Sequence, residues 1–316
     1  MHCGGDCGMR NEKFPLCTPY PAFRTDIRRL VRRVEGVLRE GGIASARAEA
    51  EWLLAGRLGT NRTELYLSEA RLGEQDLETI DRWVIRRLRG EPLQYLAGYT
   101  EFCGHRLAVS RDVLIPRPET ETVVEQAIGH LRGLARRGIA PYVLDLGTGS
   151  GNIAISLAHA IASCAVVAVE LSWDALRVAR TNLLRHRLDD RVQLIQADWT
   201  DGLASHSMAA LRGGPFDLVI SNPPYVPTGA LERLPREVGS EPRLSLDGGH
   251  DGLALHRRLV AKAPHLLRRG GVLSMECAES QAEPLRDLVG GQPWVRQVLV
   301  INDLAGRPRG LWVEVL

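Results

Sequence analysis

The chain has 316 residues, 44% of them hydrophobic and 25% charged, so it can bury a large core and fits two domains better than one. Its 40 basic residues, all arginine except Lys13 and Lys262, nearly balance 38 acidic ones for a formal net charge of +2. These are the values of an ordinary soluble protein, and they argue against a protein that holds nucleic acid by a strong basic field.

Residues 1–22 read as a disordered tail. They have no apolar core of a signal sequence, and Asp6 and Glu12 argue against a transit peptide. Cysteines at Cys3, Cys7, Cys17, Cys103, Cys164 and Cys277 lack the paired C-x-x-C spacing of a zinc site, so a reducing cytoplasm and no metal are expected. The longest apolar stretch, residues 153–171, carries Ser156, His159 and Ser163. It reads as a helix followed by a strand, not a membrane span.

Ile27, Leu30, Val31, Val34 and Leu38 predict an amphipathic helix over 25–40, with Arg28, Arg29, Arg32 and Arg33 on its solvated side. A second helix runs from a Ser45 cap to Leu58 and stops at Gly59; a third covers 74–89. Together they make a small helical-bundle domain over 23–90, suited to recognition rather than catalysis. Extended runs at 99–102 and 106–109 flank Cys103-Gly104-His105, predicting a β-hairpin linker within 91–116 with His105 as a turn residue rather than a ligand. Pro118 or Glu119 then opens a helix to about Arg136.

From Gly138 onward strand, loop and helix alternate. Strands are expected at 142–146, 165–171, 192–197, 216–221 and 271–276, with closing strands at 295–301 and 311–316. Helices are expected at 152–162, 173–187 and 253–267. This alternation predicts an α/β domain over 117–316, a mostly parallel sheet with its ligand at the carboxyl ends of the strands.

The first strand runs into Asp145-Leu146-Gly147-Thr148-Gly149-Ser150-Gly151-Asn152. Asn152 stands where G-x-G-x-x-G requires glycine, which disfavours NAD. Gly147, Gly149 and Gly151 permit close approach of a ligand, and an acid at Asp145 suits a cationic amine better than a pyrophosphate. Glu170, ending the second strand about 20 residues on, is placed to accept ribose hydroxyls. Asp198-Trp199 after the third strand offers an acceptor and an apolar plane for adenine. Ribose, adenine and an amino-acid ammonium together describe S-adenosylmethionine.

After the fourth strand comes Asn222-Pro223-Pro224-Tyr225. Two prolines cannot continue a sheet ladder, so the chain leaves the sheet stiffly there. The Asn222 amide and the Pro223 carbonyl become fixed acceptors beside the Tyr225 ring, a set that suits a planar NH2 group. Transfer of a methyl group to such a nitrogen needs its hydrogens oriented and its developing positive charge stabilised, and it needs no strong base before attack.

With these residues the chain resembles the HemK-type family, glutamine N5-methyltransferases that modify peptide chain release factors. The resemblance runs from about Ser45 to the C-terminus. It rests on Pro92-Leu93-Gln94-Tyr95-Leu96 with Gly98, Leu114-Ile115-Pro116-Arg117-Pro118-Glu119-Thr120-Glu121, Asp145 to Gly151, Ser221 to Tyr225, Glu241-Pro242, Leu246-Asp247-Gly248-Gly249 with Asp251-Gly252-Leu253, and Asp303-Leu304-Ala305-Gly306-Arg307. It implies a Rossmann-like class I methyltransferase fold with a seven-stranded sheet. It also implies cofactor contacts at Gly147, Thr148, Gly149, Ser150, Gly151, Glu170, Trp199 and Asn222, and a substrate glutamine held by Asn222 to Tyr225 with Arg117 and Pro118 nearby. The expected partners are release factors met at a Gly-Gly-Gln loop, with no stable nucleic acid, no membrane and a monomeric enzyme. Three positions depart from the family's habit: Glu170 where Asp is usual, Glu276-Cys277-Ala278 in place of Glu-x-Gly, and Pro308 between Arg307 and Arg309 where Asp is usual. Two alternatives stay open on the residues alone, an amino-methylating enzyme acting on DNA or RNA adenine and a non-catalytic cofactor-binding scaffold.

Overall fold

The stripe at Ile27, Leu30, Val31, Val34 and Leu38 folds as helix α1 (Ile27–Glu40), whose first turn is capped by the Asp26 carboxylate accepting from the Arg28 N–H at 2.9 Å. The computed structural model describes residues 26–67, 72–199 and 215–316; the expected tail over 1–22 and its three cysteines lie outside them. The chain divides into two units, Met1–Ala97 and Gly98–Leu316.

In the first unit α1 is followed by α2 (Ala46–Leu58), α3 (Glu74–Leu88) and a short α4 (Leu93–Ala97). Leu30, Val34, Leu53, Leu54, Ile80 and Val84 meet in one core, and Arg28, Arg29 and Arg32 stay exposed as a solvated face. Gly59 ends α2 at φ 67, a left-handed angle that glycine adopts without strain. Arg87 and Glu49 are both buried and form a fork of two hydrogen bonds, at 2.6 and 3.1 Å. Pairing both charges is what makes their burial tolerable. Helix α4 was not expected, because five residues are too few to show a helical period.

The second unit opens with strands β1 (Tyr99–Phe102) and β2 (His105–Ala108), an antiparallel hairpin turning through Cys103 and Gly104 at φ 48 and 75. Two successive positive φ values match the twist of the flanking strands. The sequence placed this hairpin in a linker; it belongs to the second unit, because buried Asn182 ties it there. The Asn182 side chain exchanges hydrogen bonds with Ala108 at 2.7 and 3.0 Å and donates to the Ser150 carbonyl at 2.9 Å. Next come α5 (Pro118–Arg136), β3 (Tyr142–Leu146), α6 (Asn152–Ala160), β4 (Ala165–Glu170), α7 (Trp173–His186), β5 (Val192–Gln196) and β6 (Phe216–Ser221). The unit closes with α8 (Ala254–Leu266), β7 (Leu267–Glu276), α9 (Ala282–Gly290), β8 (Val295–Asn302) and β9 (Pro308–Val315).

These strands form one seven-stranded sheet in the order β5-β4-β3-β6-β7-β9-β8, parallel except that β9 runs against both neighbours. Alternation distributes the strand residues to two cores. Val143, Val166, Leu218 and Ile220 pack with α5 and α6 on one face, and Leu144, Val167, Val219 and Leu273 pack with α8 and α9 on the other. Strand β7 starts earlier than its β-branched run suggests. Leu267 pairs with Phe216 before an irregularity, and Gly270 at φ 73 lets the chain rejoin the ladder at Val272. Strand order reverses beside β3: β4 lies on one side and β6 on the other, the crevice where open α/β sheets place ligands.

Candidate functional site

Register brings the three loops together. Leu146 at the end of β3 stands level with Val169 in β4 and with Ser221 in β6, so Gly147, Glu170 and Asn222 leave the sheet side by side. The Ser221 hydroxyl donates to the Leu146 carbonyl at 2.7 Å and locks the two strand ends. Beyond them opens a cavity of about 710 Å³ whose lining includes Gly147, Gly149, Glu170, Asp198, Trp199, Asn222 and Pro224. That volume suits a ligand of cofactor size.

Gly147 and Gly149 take φ 76 and 54, and a Cβ added at either would meet open space. They are therefore required for backbone angle rather than for packing, and they leave bare backbone at the cavity. Thr148, Ser150 and Gly151, expected at the ligand, do not line the cavity; the first two are buried beneath the loop. Asp145 does not line it either. Its side chain is fully buried, accepts from the Thr148 hydroxyl at 2.6 Å, and keeps Oδ1 without a hydrogen-bond partner. Burial pushes its pKa up to about 7, with the Thr148 hydrogen bond pulling the other way.

Glu170 faces the cavity with much of its acceptor capacity in use. Its Oε1 accepts from the Leu171 and Ser172 N–H groups at 2.9 and 3.0 Å, and its Oε2 accepts from Gly149 N–H at 3.0 Å. A carboxylate offers about four acceptor positions, so about one remains for a ligand hydroxyl without rearrangement. Trp199 is almost buried at φ 50, and the Asp198 carboxylate accepts from Arg258 at 3.2 Å. The residues that follow Trp199 fall outside those described.

The tetrapeptide is braced from below. Asn222 Nδ2 donates to the Thr120 hydroxyl at 3.1 Å, and that hydroxyl hydrogen-bonds the buried Glu276 carboxylate. With the amide nitrogen donating to Thr120, Asn222 Oδ1 is left as the uncommitted end. The Tyr225 hydroxyl reaches Glu276 Oε1 at 3.4 Å, while Glu276 Oε2 is buried with no partner. Burial pushes Glu276 up to about 7 against the Thr120 and Tyr225 hydrogen bonds, and burial beside that carboxylate raises the Tyr225 phenol strongly.

Pro223 and Tyr225 are not among the lining residues; Pro224 is. Arg117 and Pro118, expected at the substrate, also lie off the cavity. Arg117 pairs with buried Glu241, whose other oxygen accepts from Ile115 N–H at 3.0 Å, and Pro118 starts α5. Sequence reasoning did not single out Thr120, Glu241, Val113, Leu114 or the 247–249 turn as parts of the site. The last of these holds the segment that follows the tetrapeptide. Val226 N–H donates to the Leu246 carbonyl at 2.9 Å, Gly248 N–H returns to Val226 at 2.8 Å, and the Thr228 hydroxyl donates to Asp247 at 2.6 Å. A Cβ on Gly252 would sit 2.3 Å from the Tyr225 carbonyl, so that close approach requires glycine. The signal lay in the motif residues themselves, since Leu246-Asp247-Gly248-Gly249, Glu241-Pro242 and the 114–121 run all converge here.

Comparison with known proteins identifies the family. Residues 29–98 match the PrmC N-terminal domain and residues 131–234 the methyltransferase small domain. A release factor glutamine methyltransferase of Geobacter sulfurreducens is 42% identical over 259 residues, 81% of this chain and 86% of that one. Its counterpart in Moorella thermoacetica is 41% identical over 273 residues, 86% of this chain and 92% of that one. Among solved structures, the hMettl16 catalytic domain in complex with MAT2A 3'UTR hairpin 6 superposes with a TM-score of 0.49 at 16% identity, covering 77% of this chain and 81% of that one. Among the described residues no helix is long and apolar enough to cross a membrane. With relatives this similar over nearly their whole length, the chain belongs to the release factor glutamine methyltransferase family.

Proposed function

We propose that this protein transfers a methyl group from S-adenosylmethionine to the side-chain amide nitrogen of the glutamine in a Gly-Gly-Gln loop of peptide chain release factors. The observation that carries the reading is the Asn222 amide at the cavity wall. Its nitrogen is committed to Thr120, so its oxygen is held ready as an acceptor next to the glycine loop.

The residues fit the cofactor. Bare backbone at Gly147 and Gly149, a carboxylate with a free acceptor position at Glu170, and an indole at Trp199 share one cavity. Beneath the loop, the unpaired Oδ1 of Asp145 is an acceptor that a bound cation would stabilise in its charged form. When bound, the cofactor supplies an electrophilic methyl on a positively charged sulfur. An amide nitrogen is a weak nucleophile because its lone pair is delocalised. Asn222 Oδ1 accepts one of its hydrogens, and the Pro223 carbonyl is the second acceptor in this reading. The pair turns the lone pair out of conjugation and stabilises positive charge as it develops. Holding the reactants at attack distance contributes on the order of 7–11 kcal/mol. The proton leaves after the nitrogen has become cationic, so no buried base is assigned.

The test is mass spectrometry of a purified release factor after incubation with the enzyme and labelled cofactor, with DNA and RNA as parallel acceptors. Asn222→Ala is expected to lower turnover by about 3–4 kcal/mol while the protein stays folded. Near-normal methylation by that variant, or label in nucleic acid instead of the Gly-Gly-Gln peptide, would overturn the assignment.

A further inference from the structure

Outside the cavity, three histidines from three different elements converge. His105 lies in the hairpin next to its turn, His159 near the end of α6, and His186 at the last residue of α7, and a ligating nitrogen from each lies within 4.8 Å of the others. We propose that His105, His159 and His186 form a binding site for one divalent transition-metal ion of the kind imidazole prefers, Zn2+ first, which ties the hairpin to the ends of α6 and α7.

Two of the ligands are already arranged for it. His159 Nε2 and His186 Nδ1 are 3.2 Å apart with their rings at 84°. A tetrahedral ion with Zn–N bonds of about 2.0–2.1 Å separates its nitrogens by about 3.3–3.4 Å, so the spacing already fits and the rings need only turn to aim both lone pairs at the ion. The other nitrogen of His186 sets its tautomer. Nε2 lies 2.9 Å from the Arg106 carbonyl, which can only accept, so the proton sits on Nε2 and Nδ1 presents a lone pair. A histidine held through its second nitrogen by a backbone carbonyl is how metal-ligating imidazoles are oriented. In the metal-free protein His159 Nε2–H donates to that lone pair. On binding, the His159 proton moves to Nδ1 and both lone pairs face the ion.

His105 is the ligand that must move. Its ring stacks on His159 with centroids 4.3 Å apart and planes at 18°, and two parallel rings cannot both aim a lone pair at one ion. It follows Gly104 as the first residue of β2, and a change of side-chain rotamer takes its ring out of the stack. Each of the three imidazoles offers one ring nitrogen to the cluster. Arg191 also faces His159, but its guanidinium is engaged by the carbonyls of Ala158, Ile161 and Ala162 at the end of α6. All three ligands are imidazoles, a donor set that favours Zn2+, Ni2+ or Cu2+ over Mg2+ or Ca2+.

The position argues for a clamp rather than a catalytic centre. The glycine loop enters α6 at its N-terminus, whereas His159 is near the other end of the helix, and none of the three histidines lines the cavity. Such a clamp would act together with the Asn182 hydrogen bonds that hold the same hairpin.

The experiment uses the full chain, stripped of metal with a chelator and titrated with Zn2+ against a chromogenic zinc indicator. One ion per chain is expected, and His105→Gln, His159→Gln and His186→Gln should each weaken binding about tenfold or more. A Cys3→Ser/Cys7→Ser/Cys17→Ser variant, which removes the thiols of the N-terminal segment, should bind as the wild type does. Amide hydrogen exchange in the hairpin turn should slow on adding Zn2+ and not on adding Mg2+. Thermal unfolding without metal checks that the variants are folded. No uptake by the wild type, uptake unchanged in His159→Gln or His186→Gln, or loss of uptake in the cysteine variant alone would overturn the proposal.

Discussion

Thr120→Val tests whether the orientation of Asn222 matters to the chemistry. The substitution keeps the shape of a side chain that is 1% exposed and removes only its hydroxyl. Asn222 Nδ2 then loses the acceptor it has at 3.1 Å, and the Glu276 carboxylate loses a donor. A polar group left unpaired in a buried setting costs about 1–3 kcal/mol, and the amide can escape that by rotating, which turns its oxygen away from the substrate. If the productive orientation loses that much of its advantage, turnover falls roughly 5–150-fold, while the glycine loop and Glu170 are untouched. Single-turnover methylation of a release factor at saturating cofactor, beside a separate cofactor affinity, gives the two numbers. Thr120→Ser restores the hydroxyl and should restore the rate. A folded Thr120→Val enzyme working within twofold of wild type, or a Thr120→Ser enzyme as impaired as Thr120→Val, would refute the reasoning.

Glu170→Gln replaces an acceptor-only group with one that presents an NH2 to backbone donors or to ribose; cofactor affinity should drop about 10–100-fold by calorimetry, with the single-turnover rate at saturation little changed. Gly252→Ala forces a Cβ to within 2.3 Å of the Tyr225 carbonyl at φ +79, so it should lower stability by about 1–3 kcal/mol in urea and reduce methylation even at full cofactor occupancy. The folded-state pKa of Glu276, about 7, is raised above its ordinary 4.5; the stability it contributes is present below pH 4.5 and is lost as pH rises through 7. Glu276→Gln removes that loss, so its melting temperature relative to wild type should climb between pH 5 and 8. A difference that falls over that range contradicts the raised pKa. Asp145→Asn should behave in the same direction, because burial lifts that carboxyl to about 7 as well.

Much of the second unit could be read from the chain. Short apolar, β-branched runs such as Phe216–Ser221 and the glycines after Leu146 gave strands and loop because both signals are local. Gly147, Gly149, Glu170 and Asn222 do meet at one cavity, since parallel strands in register put consecutive loop starts next to each other. What composition and spacing could not give was direction. Spacing does not show that the Asp145 side chain turns under the loop to Thr148, or that Arg117 pairs with Glu241, far away in sequence. Tyr225 shares a motif with Asn222, but its hydroxyl is directed to Glu276 and it does not line the cavity. The Thr120 and Glu276 pair behind Asn222 joins the first turn of one helix to the end of a distant strand, a relation visible only once the sheet has formed. His105 illustrates the same limit, because a lone histidine beside a turn carries no sign of the two others that packing brings to it.

Gly290-Gly291-Gln292 repeats inside this enzyme the three residues proposed as its target. Gly290 is the last residue of α9, Gln292 N–H donates to the Val289 carbonyl at 3.0 Å, and the Gln292 amide nitrogen donates to the Leu288 carbonyl at 3.2 Å. A carboxamide spent on finishing its own helix is no bait for a neighbouring copy of the catalyst. In any reaction mixture the tryptic fragment carrying Gln292 should therefore keep its unmodified mass, a built-in blank against which labelling of the release factor can be judged.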